Sequence, residues 1–474
     1  GVNAPRYKEA FNGGEDYMDG GAMRAAWLEY TGGDEKTELV DLFLENSGET
    51  IDWLFFDHGF LLNNPLKGFT AQDVYRCKYQ YVYAGNAEEG RDYGRELVYR
   101  PDQVDSYFQG MMEDYTGLGG EYMLETEAYE LLYDRETNTV TGVKAVGADG
   151  TQYQINAKAV VLATGGFAGN GEMQKEYLSD EYWPLKGVWG TYGYGMTQND
   201  GKMIQSAIDI GAGTYNIDMP PMVHFVTTTQ ILTEYPVNMI EGKVDNRYGY
   251  EATWSLNDVP MTMAISQNVL QVDIHGDRYA NEAETFVWWK AGPTFFSIWS
   301  DAQVKEVQKN GFSVVKTTMA QGQGGVPVGQ PIPEIYDVLE SAVKVGYVYK
   351  ADTLKELAAK TGMDPAKLEK SVAAYNEMCS KGEDTQYGKD PKYLWALGSE
   401  GPYYAVNGAS VTYSTCGALD VDAKLRVLQS DGKTAIGGLY AVGNDSMGVL
   451  YTNKKPYVTF GGAALGWAFT SGRL

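Results

Sequence analysis

The stretch VVLATGGFAGN, residues 160–170, decides how the rest of the chain is interpreted. The apolar run from Ala159 to Leu162 is typical of a buried β-strand, and the two glycines after Thr164 leave bare backbone N–H groups at its end. Such a strand end lets the pyrophosphate or sugar of a dinucleotide approach the main chain. An ordinary strand-to-loop turn has the same pattern, and two glycines alone favour that ordinary turn. The choice therefore depends on the remaining sequence.

The composition excludes several classes of protein. A chain of 474 residues is longer than one hydrophobic core usually organises, so we expect two or more domains. A formal net charge of −25 argues against binding to nucleic acid or anionic lipid. No apolar run reaches membrane-spanning length, which predicts a soluble chain. The three cysteines and three histidines are isolated, so neither a disulfide framework nor a metal site is predicted.

Periodicity and turn residues predict the order of the elements. Apolar residues at three- and four-residue spacing predict helices within residues 21–60, at 102–116 and as a pair at 352–382, where Asp364 and Pro365 begin the second helix. Alternation before residue 162, with turn sequences at 135–138 and 149–150, predicts antiparallel strands joined by hairpins. Residues 192–213 predict a glycine-rich loop and a short helix that stops at Gly211.

Sequence motifs of several enzyme classes are missing. No G-x-S-x-G, H-E-x-x-H or P-loop occurs, and the segment GNDSMG around Ser446 has the wrong spacing for a nucleophile turn. These absences argue against acyl and phosphoryl transfer. The G-x-G-x-x-G fingerprint of dinucleotide-binding folds is missing as well.

Four segments, in this order, resemble the flavoprotein subunit family of fumarate reductase and succinate dehydrogenase. The resemblance is strongest to the soluble branch that includes urocanate reductase and 3-oxosteroid dehydrogenases. The segments are VVLATGGFAGN, GMTQNDGKMIQSAIDIGA, GDRYANE, and GGLYAVGNDSMG together with FGGAALGWAFTSGR. In that family the G-x-G-x-x-G unit lies upstream of the segment that matches GVNAPRY, so the chain is expected to be N-terminally truncated.

The resemblance implies an α/β fold, α+β overall. An FAD-binding Rossmann-like domain with a β-meander would cover residues 1–221 and 413–474, interrupted by an α+β capping domain at 222–412. FAD is the implied cofactor. The implied cofactor-binding residues are mostly small, so that the flavin can approach the backbone: Ala128, Thr164, Gly165, Gly166, Gly195, Thr197, Gly201, Gly443, Asn444, Gly462, Ala463 and Ala464. Asn444 stands where the family usually has glutamate, so we expect a different flavin potential.

The family transfers hydride between the flavin and an activated C=C bond, while an acid protonates the neighbouring carbon. Fumarate reductases use arginines and histidines for this purpose. Here Thr262 and Ile265 fall on a Glu-x-x-Arg motif, Phe286 on the catalytic arginine, and Tyr413 and Ser414 on two histidines. A doubly charged fumarate would be costly to bury with so few cations. We therefore expect an enone, an arylacrylate or a steroid-like ketone as substrate.

The candidate catalytic residues are Tyr457, Tyr413, His224 and Ser414. A tyrosine, with an ordinary pKa of about 10, can donate a proton at neutral pH. Most of the 36 tyrosines are expected to be packing residues, so each of these two could be one as well, and His224 could be a hydrogen-bonded core histidine. Lys454 and Lys455 could replace the missing arginine as binders of a carboxylate.

Two further expectations concern structure and partners. Arg278 in GDRYANE is expected to be structural, paired with an acid such as Glu282. The electrons are expected from a separate donor domain or protein, linked to flavin, haem or quinol, as in bacterial anaerobic respiration. Reverse dehydrogenation of a ketone and a non-catalytic scaffold remain alternatives. The compartment, bacterial cytoplasm or extracytoplasmic face, is left open.

Overall fold

The computed structural model describes residues 1–16, 19–31, 36–59, 62–63, 98–99, 104–178, 198–219, 222–226, 256, 258–284, 287–292, 294–314, 326, 328–450 and 463–474. The α-helices are α1 Pro5–Phe11, α2 Gly20–Thr31, α3 Thr37–Asp52, α4 Val104–Gly117, α5 Gly171–Tyr177, α6 Lys202–Asp209, α7 Asp258–Ala264, α8 Asp301–Asn310, α9 Ile335–Lys344, α10 Leu354–Thr361, α11 Pro365–Lys381 and α12 Ala463–Arg473. The strands are β1 Leu62–Asn63, β2 Val98–Tyr99, β3 Thr126–Asp134, β4 Thr139–Gly147, β5 Gln152–Asn156, β6 Val160–Leu162, β7 Thr214–Tyr215, β8 Met222–Val226, β9 Leu270–Asp273, β10 Thr294–Ser300, β11 Val348–Ala351, β12 Tyr403–Ser414, β13 Ala418–Leu419, β14 Arg426–Leu428 and β15 Ala435–Ala441.

Several elements begin and end where local sequence signals predicted them. The helix pair α10 and α11 is confirmed, and α11 starts with Pro365 after the N-cap Asp364, whose side chain accepts the backbone N–H groups of Ala366 and Lys367. The predicted helices at 21–60 and 102–116 are confirmed as α2, α3 and α4. None of the described helices is long and apolar enough to cross a membrane.

The first sheet has the strand order β14-β15-β4-β3, with β5 added on β4 and β6 on β15. Strands β3, β4 and β5 are antiparallel neighbours joined at the predicted turns, which confirms the meander. Strand β15 runs parallel to β6, with Leu439 opposite Val160 and Ala441 opposite Leu162. Because parallel strands end at the same edge of a sheet, the turns that follow β6 and β15 lie next to each other.

Helices α3 and α12 pack against this sheet in one hydrophobic core, which we call the first core. It extends from Met23 to Trp467 and includes Leu162, Leu439 and Ala441. The ring of Phe43 on α3 makes an edge contact with Trp467 on α12, with centroids 6.2 Å apart. Helix α12 is thereby held beside the ends of β6 and β15.

The second sheet is antiparallel, with the order β11-β12-β10-β9 and with β8 paired to β12. Two clusters of buried side chains pack on it, one from Leu256 to Val406 and one from Leu270 to Ala405, and together we call them the second core. The side chains of the second core come from residues 256–406, and those of the first core come from the parts of the chain before and after them. Strand β12 connects the two parts of the chain, because it starts in the second core and ends just before Cys416 of the first core. The domain boundaries at 221/222 and 412/413 stay a prediction.

Candidate functional site

The turns after β6 and β15 form the centre of the candidate site. Residues 164–166 follow β6, and the helical turn Gly443–Asp445 follows β15. The backbone N–H of Val442 donates to the carbonyl of Leu162 at 2.9 Å, so the parallel pairing continues up to both turns. We call residues 164–166, Asn199, Ser414, Thr415 and 443–445 the paired-turn site.

A buried carboxylate joins the two turns. Asp445 has no solvent exposure, and its side chain accepts the backbone N–H of Thr164 at 2.5 Å, the Thr164 hydroxyl at 2.8 Å and the backbone N–H of Gly166 at 2.8 Å. The expected bare N–H groups at the end of β6 are therefore already used inside the protein. All three partners are donors, so the geometry suits an ionised carboxylate. Burial raises the pKa of Asp445 from its ordinary 3.8, and these donors oppose that rise.

Two amide side chains hold the peptide between these donors. Asn199 and Asn444 each donate a side-chain N–H to the carbonyl of Gly165, at 3.1 and 3.2 Å. Asn444 also donates to the hydroxyl of Ser414 at 2.8 Å, and Ser414 donates to the carbonyl of Thr415 at 3.1 Å. The orientation of the Gly165 peptide is consequently set from three parts of the chain.

Glycine is required at residues 165 and 166 for two reasons. Both have φ near +90°, at +87° and +88°, a region that strains residues with a side chain. A Cβ atom on Gly166 would lie 2.4 Å from the Thr415 hydroxyl oxygen, which accepts the Phe167 N–H at 3.2 Å. The double glycine in the sequence thus reflects a turn that packs closely against Thr415, the residue after β12.

One side of the paired-turn site is open to solvent. Ala163 and Thr164 are exposed and Asn444 is partly exposed, whereas Gly443 and Asp445 beneath them are buried. The Asn444 amide uses its N–H groups inside the protein, which leaves its carbonyl oxygen as an acceptor for a hydroxyl group. Small residues with an accessible backbone, beside one amide acceptor, fit the sugar-like part of FAD.

The middle and the C-terminal part of helix α12 pack beside these turns. The backbone N–H of Gly443 donates to the Ser471 hydroxyl at 3.0 Å, and the Trp467 indole donates to the Ser446 hydroxyl at 3.2 Å. The first N–H groups of a helix lack partners within the helix. Ala463 and Ala464 lie in the first turn of α12, and their contact with the flavin pyrimidine edge stays a prediction.

Of the other predicted cofactor residues, two lie in the described part of the chain and three lie outside it. Ala128 lies on β3, opposite Ala145, and β4 separates β3 from β15. Gly201 is the N-cap of α6, where a Cβ atom would lie 2.5 Å from both Phe167 and Met173. Predicted residues that lie outside the described part of the chain are Gly195, Thr197 and Gly462. All of these assignments stay predictions.

The candidate catalytic residues lie on or beyond β8 and β12. The backbone of His224 on β8 is opposite Val411 on β12, and Tyr413 follows two residues later, at a register shift before Ser414. The mutual approach of His224 and Tyr413 across the flavin stays a prediction. Ser414 is buried, and its hydroxyl accepts a hydrogen bond from Asn444, so it supports the turn at 443–445 of the paired-turn site. Tyr457 lies outside the described residues, as do Lys454 and Lys455.

The two buried cations among the described residues, Arg278 and Lys389, are neutralised inside the protein. Arg278 makes paired hydrogen bonds to Glu282, at 2.9 and 2.8 Å, and to Asp384, at 2.9 and 2.7 Å. Lys389 lies 3.2 Å from Glu282 and donates to the Tyr375 hydroxyl at 2.9 Å. The predicted structural pairing of Arg278 with Glu282 is confirmed, and the cluster balances two cations with two anions.

Two positions of the expected Glu-x-x-Arg motif are core positions here. Thr262 is fully buried, and its hydroxyl accepts the backbone N–H of Val326 at 3.3 Å. Ile265, just after α7, is 1% exposed and belongs to the second core. Neither position offers a charged group to a ligand. Phe286 lies outside the described residues.

Sequence reasoning missed Asp445 and Asn199. Asp445 lies in the segment GNDSMG, in which only its neighbours Gly443 and Asn444 were predicted to bind the cofactor. The available signal was an acidic residue three positions after the apolar stretch IGGLYAV, where a carboxylate needs nearby donors to be buried. Asn199 carried no comparable signal.

Comparison with known proteins places these features in a family. A model described as FAD binding domain matches residues 1–238 and 263–456. The vinyl phenol reductase of Lactiplantibacillus plantarum is 28% identical over 75% of this chain and 67% of its own length. The NADH:acrylate oxidoreductase of Vibrio harveyi is 27% identical over 92% of this chain, but the chain spans only 36% of that protein. A flavocytochrome c3 fumarate reductase structure in an open conformation matches all of this chain and 69% of its own, with TM-score 0.56 and 23% identity.

These matches confirm the predicted fold, since the superposition with the fumarate reductase covers the entire chain. The family match confirms the predicted FAD cofactor, and the relatives' names confirm the predicted class of oxidoreductases acting on carbon–carbon double bonds. The predicted resemblance to fumarate reductases is confirmed as well. Since the family model matches most of the sequence, the chain belongs to the FAD binding domain family.

Proposed function

We propose that this chain is the catalytic part of an FAD-dependent reductase for the activated C=C bond of an enone, an arylacrylate or a related aromatic alkene. Bound FAD supplies the hydride, from its N5 position. Membership of the family supports the cofactor, and the names of the vinyl phenol and acrylate relatives support the class of reaction. The chain's own residues orient the substrate, exclude water and deliver the proton to the second carbon.

The charge balance of the described residues carries the choice of substrate. Arg278 and Lys389 are engaged by Glu282 and Asp384, and Ile265 occupies a core position where an arginine was expected. A dicarboxylate would lose its hydration without gaining these cations as partners, which is costly. A neutral or singly charged aromatic substrate avoids that cost, and its apolar area favours burial.

The proposed acid is a tyrosine, with Tyr413 and Tyr457 as candidates. The ordinary pKa of a tyrosine keeps its proton in place at neutral pH, so the hydroxyl can donate to the carbon next to the site of hydride addition. His224, on the strand paired with β12, is the proposed substrate contact. Ser414 contributes through the amide of Asn444.

The electrons are proposed to come from a separate domain or protein linked to flavin, haem or quinol. The chain spans 36% of the acrylate relative, whose name includes NADH as the electron donor. The relative's remaining length leaves room for a part that handles the donor.

The test is reoxidation of the dithionite-reduced protein under anaerobic conditions, followed by flavin absorbance. The panel contains fumarate, urocanate, 4-vinylphenol, a cinnamate and an enone steroid. We expect rapid return of the oxidised spectrum with one of the aromatic or uncharged alkenes, and slow return with fumarate. Faster reoxidation by fumarate than by every other compound would contradict the proposed substrate class.

The same protein tests the alternatives. Reduction of the flavin by a saturated ketone, with an oxidising dye as acceptor, would identify a dehydrogenase instead. A purified protein without a flavin spectrum would support the non-catalytic scaffold.

A further inference from the structure

We infer that Asp445 is a positioning residue for FAD: its carboxylate fills the anion-binding position of the turn at 164–166 and thereby holds the Gly165 peptide against an uncharged part of the cofactor. This inference rests on the proposed function, since it assumes that the paired-turn site receives FAD. It concerns the chain's own residues and is argued from their contacts.

The first step is the donor set of the turn. Successive backbone N–H groups at a strand end are a common binding site for a phosphate. Here the N–H groups of Thr164 and Gly166, together with the Thr164 hydroxyl, all point to Asp445 at 2.5 to 2.8 Å. A second anion at this turn would lack these donors and would be repelled by the buried carboxylate.

The second step is the way in which the negative charge is held. Among the described residues, no lysine or arginine forms an ion pair with Asp445, and the donors of the turn are its hydrogen-bond partners. A fully buried carboxylate without a cation requires its hydrogen bonds. The dependence is mutual, because the turn also loses its acceptors if the carboxylate is removed.

The third step links this carboxylate to the open face. Asp445 holds the residues on either side of Gly165, while the side-chain amide of Asn444, its partly exposed neighbour in sequence, donates to the Gly165 carbonyl at 3.2 Å. One short turn therefore sets both the peptide plane and the amide acceptor. The group that lies on this face would be a ribose or ribityl segment, which offers hydroxyls instead of phosphate charges.

The chain offers a matched control in Asp431. Its carboxylate also accepts two backbone N–H groups and one threonine hydroxyl, from Lys433 at 2.9 Å and from Thr434 at 2.8 and 2.7 Å. Asp431 is exposed and lies in the turn before β15. It therefore accepts the same kinds of hydrogen bond as Asp445, but outside the paired-turn site.

The test compares wild type, Asp445→Asn, Thr164→Val and Asp431→Asn after removal of FAD. Two quantities are measured: the Kd for FAD by flavin fluorescence, and the hydrogen exchange of peptides covering residues 160–170. Asparagine has the shape of aspartate but presents an NH2 group to one of the donors. We expect Asp445→Asn to raise the Kd at least tenfold and to accelerate exchange in this peptide. We expect a smaller rise for Thr164→Val, which removes one donor of three, and no change for Asp431→Asn.

The outcomes separate this inference from the proposed function. An Asp445→Asn protein that keeps the wild-type Kd and exchange rates would overturn the inference and leave the reductase activity untouched. Accelerated exchange with an unchanged Kd would overturn the cofactor role as well. A flavin-loaded wild type that no alkene reoxidises would contradict the proposed function, while the Kd comparison would still decide the role of Asp445.

Discussion

The guanidinium of Arg278 contacts both carboxylate oxygens of Asp384, at 2.9 and 2.7 Å, although 106 residues separate them. Both side chains are almost completely excluded from solvent, as is Glu282 on the other side of the guanidinium. The cluster joins the segment after β9 to the loop after α11, on the side of the second sheet where α11 packs. The cluster is a buried structural element beside the second core, so the loss of one of its charges is expected to lower the stability of the fold.

We predict that Asp384→Asn lowers the free energy of unfolding by about 3–5 kcal/mol, because it leaves buried positive charge without its partner. Urea unfolding followed by tryptophan fluorescence measures this loss. The matched control is Asp277→Asn, which breaks the exposed ion pair with Lys367. Exposed pairs contribute little, so the control is expected to stay close to wild type. Equal losses in the two variants would contradict a special role for the buried cluster.

The lowered pKa of Asp384 predicts that the stability of the protein depends on pH. Burial alone would raise the pKa of Asp384, but hydrogen bonds from Arg278 and from the backbone N–H groups of Lys389, Gln386 and Tyr387 hold it well below its ordinary 3.8. Because the pKa is lower in the folded state, the stabilisation is fully present above pH 3.8 and is lost as the pH falls through the folded value.

We therefore expect the difference in unfolding free energy between wild type and Asp384→Asn to be constant from about pH 5 to 7 and to shrink below pH 3.8. Unfolding curves over a series of pH values measure it. A difference that grows towards acid would mean that Asp384 is protonated more easily in the folded protein than in the unfolded chain.

The two contacts of Arg278 show what sequence can and cannot predict. Its pairing with Glu282 was predicted, since the two residues lie four positions apart in one short motif. Its pairing with Asp384 depends on the packing of α11 against the second sheet, and no local pattern encodes that packing. The turn at 135–138 and the start of α11 were predicted for the same reason as Glu282, because turn and capping residues act on their immediate neighbours.

In the candidate site, too, local sequence patterns did not predict contacts between distant segments. The glycines after β6 and the segment after β15 were recognised separately, but the contact between Gly166 and Asp445 spans 279 residues. It arises because β6 and β15 are parallel neighbours, which is a property of the sheet order. The prediction of unpaired N–H groups after β6 was therefore wrong, because Asp445, far away in sequence, accepts the N–H groups of Thr164 and Gly166.

Gly166→Ala tests the close packing of the paired-turn site. The left-handed backbone costs a residue with a side chain about 1–2 kcal/mol, and overlap with the Thr415 hydroxyl at 2.4 Å adds a further cost of about 1–3 kcal/mol. Gly150→Ala is the matched control, since its φ of +84° is similar and a Cβ atom there meets no atom within 4 Å. We expect Gly166→Ala to be the less stable variant in thermal unfolding. Equal shifts would mean that backbone strain alone requires the glycine.

Ile265→Arg tests the loss of the expected arginine. Ile265 is 1% exposed in the second core, so a guanidinium there would be buried without a prepared partner. We expect a loss of soluble, folded protein, and no gain of fumarate reduction. Val343→Arg, at an exposed apolar position on α9, controls for the added charge and is expected to fold normally. A folded Ile265→Arg protein that fumarate reoxidises rapidly would show that this position faces the substrate.

Ser414→Ala and Tyr413→Phe separate support of the cofactor from proton donation. The hydroxyl of Ser414 accepts a hydrogen bond from the Asn444 amide at 2.8 Å, so loss of this hydroxyl should weaken FAD binding and leave the pH profile of alkene reduction unchanged.

Loss of a proton donor typically slows the chemical step by about 10²–10⁴, so Tyr413→Phe should lower kcat while the FAD content stays at the wild-type level. Tyr457→Phe is compared in the same assay, because the second tyrosine is the alternative acid. Stopped-flow reoxidation and the flavin-to-protein absorbance ratio measure the two effects. If Tyr413→Phe and Tyr457→Phe both retain the wild-type rate, the proton is delivered by a group other than these tyrosines.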